Sequence, residues 1–193
     1  MRKDEAGFSM IEVTVVAAVT MITVGLAAPS ITAAIETYKF NSDVQNVAAK
    51  IRAARYTAVA SNVAMRVRFN CPVAGQMRVV EVTGNAGIDD AANRCDLVAY
   101  PYPAPDTDLT TLPNNDGPVL SMGSSSTVFP ISMPSLEISS AGRVKPLTGC
   151  PNCVEAPVPA VLTIQDETTD TARVITVSAT GGTTVATHVT AQD

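Results

Sequence analysis

The sequence predicts an α+β fold in which a long N-terminal α-helix is packed on an antiparallel β-sheet head. Three observations predict it. Residues 13–35 carry no charge and are dominated by Val, Ala, Ile, Thr and Met. Apolar side chains then recur at intervals of three and four as far as Ala58. From about Asn62 onward the texture changes to short alternating stretches separated by Pro, Gly, Asn, Asp, Ser and Thr.

A chain of 193 residues suits one ordinary domain and an appendage. Apolar residues make up 46% but charged residues only 16%, which is too apolar for intrinsic disorder. No Gly repeat of the collagen kind and no fixed internal period occurs. The formal net charge of -5 is unevenly spread: up to Arg68 there are 8 basic and 5 acidic residues, and beyond it 5 basic and 13 acidic. Such a chain is poorly suited to gripping phosphates along a duplex, which takes clustered Lys and Arg.

The first element is the apolar run. As a helix it is long enough for the hydrocarbon core of a bilayer, and a single transmembrane or signal helix is its ordinary reading. The flank before it, residues 1–7, holds Arg2 and Lys3, which favour a cytoplasmic side and so an exported remainder. Asp4 and Glu5 beside them weaken that signal. Leu26-Ala27-Ala28-Pro29 offers a weak secretory cleavage site. Two features point elsewhere. The junction Ala6-Gly7-Phe8-Ser9-Met10-Ile11-Glu12 precedes the apolar core, and Glu12 places a carboxylate inside an otherwise apolar helix. An ionisable group there calls for a partner; a plain signal anchor with Glu12 at the interface is the simpler alternative.

Gly7 followed by Phe8-Ser9-Met10-Ile11-Glu12-Val13, then a long apolar run containing Pro29, resembles the N-terminus of type IV prepilins and type II secretion pseudopilins. The resemblance implies residues 1–7 as a leader removed by a prepilin peptidase between Gly7 and Phe8, with N-methylation of Phe8. It also implies Glu12 as the carboxylate that pairs with the mature N-terminal amine of a neighbouring subunit. A new ammonium in the membrane needs such a partner.

Residues 8–35 then form the transmembrane and assembly helix, with Gly25 and Pro29 as bend points because Pro removes a backbone donor and crowds the preceding turn. Residues 36–61 continue it as an amphipathic half, whose stripe is Phe40, Val44, Val47, Ile51, Ala54 and Ala58. Residues 62–193 form the β-rich head. Alternation predicts strands at 64–69, 76–83, 161–165, 172–178 and 183–189, with short ones near 128–131 and 136–138. Turns fall at Gly84-Asn85-Ala86-Gly87, at residues 166–171 and at Thr180-Gly181-Gly182-Thr183. The strands are expected to make one antiparallel sheet laid on the amphipathic half.

Within that superfamily the pattern is most similar to the GspH/FimT group of minor pseudopilins and minor pilins. The carriers are the helix segment Val47 to Ala60 leading through Ser61-Asn62, the stretch Ser140-Ala141-Gly142-Arg143-Val144, and the final hairpin closed by Gly181-Gly182. The similarity does not extend to residues 86–127.

Cys71, Cys95, Cys150 and Cys153 are an even set in an exported head, so disulfides are the economical reading. Of the three pairings, Cys71 with Cys95 and Cys150 with Cys153 are expected. Cys150-Pro151-Asn152-Cys153 has thioredoxin-type spacing, yet Pro151, Pro157 and Pro159 argue against the helix that would activate a thiol. A four-thiolate zinc site normally uses two C-x-x-C knuckles, and Cys71 and Cys95 do not form one.

No G-x-S-x-G elbow, phosphate loop or H-E-x-x-H is present. The single histidine, His188, reads as an ordinary strand residue. Asp89, Asp90, Asp106, Asp108 and Asp116 read as a solvated acidic loop without calcium-loop spacing. No enzyme, metal or cofactor is expected.

The sequence thus points to a minor pilin or pseudopilin, a structural subunit that enters a type IV pilus or type II secretion pseudopilus near its tip. Its implied partners are other major and minor pilins or pseudopilins, the prepilin peptidase, the inner-membrane assembly platform and the lipid bilayer. Its place is single-pass in the inner membrane with the head in the periplasm or exterior, and then the filament. The alternative is a membrane-anchored exported binding module, including a DNA-uptake minor pilin. Residues 180–193 contain no Lys or Arg, which argues against nucleic acid and leaves Lys50, Arg52 and Arg55 as the only basic reserve.

Overall fold

The structure, a computed structural model, describes residues 9–96, 119–122, 127–130, 133–149, 153–167 and 171–188. The chain divides into two compact units, Met1–Tyr38 and Lys39–Asp193. The fold is α+β, with antiparallel strand pairing throughout.

The first unit is built on the opening part of helix α1 (Met10–Ser61), whose α-helical backbone runs uninterrupted past Gly25 and Pro29. Neither residue ends the helix. Among the described residues no helix is long and apolar enough to cross a membrane. The expectation of a membrane-spanning segment is therefore not met by the described residues.

In the second unit the rest of α1 buries the predicted stripe. Phe40, Val44, Val47, Ile51, Ala54 and Ala58 are all buried, joined by Ala48. The helix stops where predicted because Asn62 adopts a left-handed conformation (φ 55°), which closes a helix C-terminus and which Asn tolerates better than most residues.

Among the described residues ten strands follow: β1 (Met65–Phe69), β2 (Gln76–Glu81), β3 (Val119–Ser121), β4 (Thr127–Val128), β5 (Ser135–Ile138), β6 (Val144–Thr148), β7 (Val154–Glu155), β8 (Ala160–Asp166), β9 (Thr171–Val177) and β10 (Thr183–His188). They form two sheets rather than the single one expected: six strands in the order β3-β2-β1-β5-β6-β7, and four in the order β10-β9-β8-β4. The inward residues of both, such as Val67, Leu136 and Ile138 of the first and Leu162, Ile164 and Ile175 of the second, share one core with the α1 stripe. Two sheets bring two inner faces onto that one helical stripe, which a single pleated layer cannot do.

The sheets are joined by main chain and side chain. Val144 donates its N–H to the Ala179 carbonyl at 2.9 Å, and the Phe69 and Phe129 rings meet at 5.2 Å. Asn70 (φ 52°) organises the β1–β2 turn: its Nδ2 donates to the Phe129 carbonyl and its Oδ1 accepts from Gly75 N. The turn expected at Gly84-Asn85-Ala86-Gly87 is instead the start of a short helix α2 (Ala86–Asp89), capped by the Asn85 side chain, and a 3-10 turn follows at Ala92–Cys95.

Candidate functional site

The first unit presents its chemistry on the helix surface. Met10 (87% exposed), Ile11, Val13, Val16, Val19, Met21 (76%), Ile22 and Val24 all point outward. At 100° per residue these positions occupy every face of the helix, a pattern that belongs to a helix buried in lipid or among other helices. The threonines among them keep their hydroxyls for their own backbone. Thr14 donates to the Ile11 carbonyl, Thr20 to Val16 at 2.7 Å, and Thr23 to Val19 and Thr20. That back-bonding leaves methyl groups outside and satisfies each polar group internally, as a water-free environment demands.

Glu12 is the one charged residue between residues 9 and 35. It lies in the first turn of α1, where the helix macrodipole favours a carboxylate, and its backbone N–H donates to the Ser9 carbonyl at 3.0 Å. Its side chain is exposed. Gly7 and Phe8 lie outside the described residues. Gly25 has open space where a Cβ would stand. The described arrangement therefore offers an acceptor for a cation at the end of an apolar rod of side chains.

In the second unit, the three stretches on which the finer similarity rests converge on Arg55. Its Nε donates to the Gly142 carbonyl at 3.1 Å. Gly142 (φ 74°) and Gly181 (φ 80°) both lie against its side chain, and a Cβ on either would crowd it. Arg52 donates to Thr183 Oγ1. Arg52 and Arg55, two of the three basic residues held in reserve for DNA, are thus engaged within the head.

The Cys71–Cys95 disulfide is present as expected, closing a loop of 24 residues in sequence separation. Cys153 is also disulfide-bonded, and Cys150, its expected partner, lies outside the described residues. His188 closes β10, paired in register with Ala172. Among the described residues no group of three or more His, Cys, Asp or Glu side chains is placed to hold a metal ion.

Asp89 and Asp90 correct the reading of a solvated acidic loop; Asp106, Asp108 and Asp116 lie outside the described residues. Asp89 is buried, its carboxylate accepting from Thr83 N, Thr83 Oγ1 and Gly84 N. Asp90 pairs with Arg66 at 2.6 Å. Both belong to a cover of residues 83–95 over the outer face of the six-stranded sheet, a feature that the sequence reading missed. Beneath it Arg66 donates to the Asp89 carbonyl, Asp90 and Glu137. Arg68 donates to the Ala91 carbonyl, Arg78 to those of Arg94 and Cys95, and Arg94 to that of Glu81. Burial opposes the Arg66 charge, but its bonds to Glu137 and Asp90 outweigh burial and hold its pKa above the ordinary arginine value. Arg68 is driven the other way, by burial first and then by the like charges of Arg66 and Arg94, against a weaker pull from Asp90. The alternation of Arg66 and Arg68 with Met65 and Val67 was the available signal for a polar face.

No family model, curated protein or solved structure matches the chain.

Proposed function

We propose that the protein is a minor pilin or pseudopilin, a structural subunit that is cut between Gly7 and Phe8 by a prepilin peptidase, N-methylated at Phe8 and built into a filament through α1. The inner membrane holds it by the same helix before assembly, with the head on the periplasmic side. In the filament, the Glu12 carboxylate accepts the terminal ammonium of a neighbouring subunit, and helices of other subunits cover the apolar side chains. One observation carries this reading: apolar side chains are exposed on every face of α1 across residues 10–25, with hydroxyls turned back onto the backbone and a single carboxylate at its start. Burying such a surface is favourable by roughly 25 cal/mol per Å², and an unpaired carboxylate among apolar helices is costly, so pairing selects the register of neighbours.

The reading is supported further by the resemblance of Gly7-Phe8-Ser9-Met10-Ile11-Glu12 to the prepilin junction. The engagement of Arg52 and Arg55 within the head favours assembly over capture of nucleic acid. Glu12→Ala tests the pairing step. The variant is expected to be cleaved normally, because the scissile bond lies outside the changed residue, and to be depleted at least tenfold from sheared filaments, quantified against the membrane pool by immunoblotting. Wild-type incorporation of the variant contradicts the pairing.

A further inference from the structure

We propose that Arg68, on the covered outer face of the six-stranded sheet, is the receptor for a small oxyanion, a phosphate or a carboxylate. Four guanidinium groups meet on this face. Arg66 and Arg68 alternate outward along β1, Arg78 stands directly opposite Arg68 in the β1–β2 register, and Arg94 comes from the 3-10 turn. Carboxylates are distributed unequally among them. Arg66 takes both Asp90 and Glu137, each at 2.6 Å. The Asp89 carboxylate is occupied by Thr83 and Gly84. Arg78 and Arg94 give bonds to main-chain carbonyls and have further contacts. Arg68 gives a single bond to the Ala91 carbonyl at 3.2 Å and is half-buried, and among the described residues no carboxylate lies within ion-pair distance of it.

Like charges directly opposite across two strands are destabilising. A planar guanidinium with free donors pairs most strongly with an oxyanion, through two parallel N–H···O bonds. The depressed pKa of Arg68 has the same origin: burial among positive neighbours is relieved by a negative partner. The surroundings are held in place on both sides, by the Cys71–Cys95 disulfide at the 3-10 turn and by Asn70 at the end of β1.

The test is thermal unfolding of the full chain in detergent, followed by circular dichroism. Sodium phosphate, sodium acetate and sodium chloride are compared at one ionic strength, with wild type, Arg68→Gln, Arg68→Lys and the exposed-site control Arg143→Gln. A ligand that binds the folded state alone raises the midpoint with its concentration. Wild type and Arg143→Gln are expected to show a saturable rise with phosphate or acetate over chloride, and which anion acts separates a phosphate from a carboxylate source. Arg68→Gln is expected to lose the rise while unfolding in chloride no lower than wild type, because a like charge has been removed. Arg68→Lys keeps the charge without the fork and is expected to need at least tenfold more anion. No rise in wild type with either anion, or an equal rise in Arg68→Gln and Arg68→Lys, overturns the proposal. So does a marked loss of stability of Arg68→Gln in chloride, which would make Arg68 a purely structural residue.

Discussion

Arg55 shows how single residues tie distant parts of this sequence together. Its guanidinium reaches the Gly142 carbonyl, and its aliphatic stem lies where a Gly181 side chain would be. Gly181 also needs a left-handed backbone (φ 80°), which costs an L-residue about 1–2 kcal/mol. Gly181→Ala is therefore expected to lose about 2 kcal/mol in urea unfolding, the backbone cost plus displacement of Arg55. Adding Arg55→Ala should recover only the crowding part, so the double variant is less destabilised than the sum of the two single changes. Strict additivity contradicts this account. Glu137 allows a second test at the same scale. Glu137→Ala leaves the buried Arg66 with Asp90 as its one carboxylate partner beside the Asp89 carbonyl and is expected to cost about 1–3 kcal/mol, below the full penalty for a buried pair because both carboxylates are partly solvated. A change within 0.5 kcal/mol would show that Arg66 is held by Asp90 and the main chain.

At the scale of elements, what could be read in advance was whatever carried a period. The α1 stripe from Phe40 to Ala58 and strands β1, β2, β8, β9 and β10 follow from spacings of three to four or of two, and their ends fall within about two residues of those expected. β6 was missed because Pro146 interrupts it, and Pro is ordinarily excluded from strand interiors. The structure explains the tolerance. The Pro146 carbonyl accepts from Ala156 N, on the β7 side. The nitrogen of a strand residue faces the same neighbour as its carbonyl, so the missing N–H forfeits no bond to β5. The cover over the arginine face was missed for a different reason: residues 83–95 have turn composition and no period, and their order comes from Asp89, Asn85 and the disulfide. Removing that disulfide with Cys71→Ser and Cys95→Ser is expected to cost about 2–4 kcal/mol, mainly by lengthening the unfolded chain's reach. It should also raise amide exchange over residues 83–95 before the strands respond. Uniform exchange across the head contradicts the cover as a separately anchored element.

At the scale of the whole molecule, the averages of the composition resolve into two surfaces with opposite demands. The first unit exposes apolar side chains on all faces across residues 10–25, where Glu12 is the single carboxylate, whereas the second closes its own core and carries most of the acidic charge. The α+β class was legible because the apolar run, the amphipathic stripe and the alternating stretches occur in sequence. The division into two sheets was not, because strand pairing between distant segments such as β1 and β5 leaves no local trace. The proposed subunit, with a helix covered by partners and a head that packs its own core, would account for both surfaces. The central claim is that this helix is released for assembly by a cut between Gly7 and Phe8. Mass spectrometry of the mature protein purified from membranes tests it most directly: the account predicts an N-terminus at Phe8 bearing an N-methyl group, and an intact Met1 end or a cut after Ala28 would contradict it.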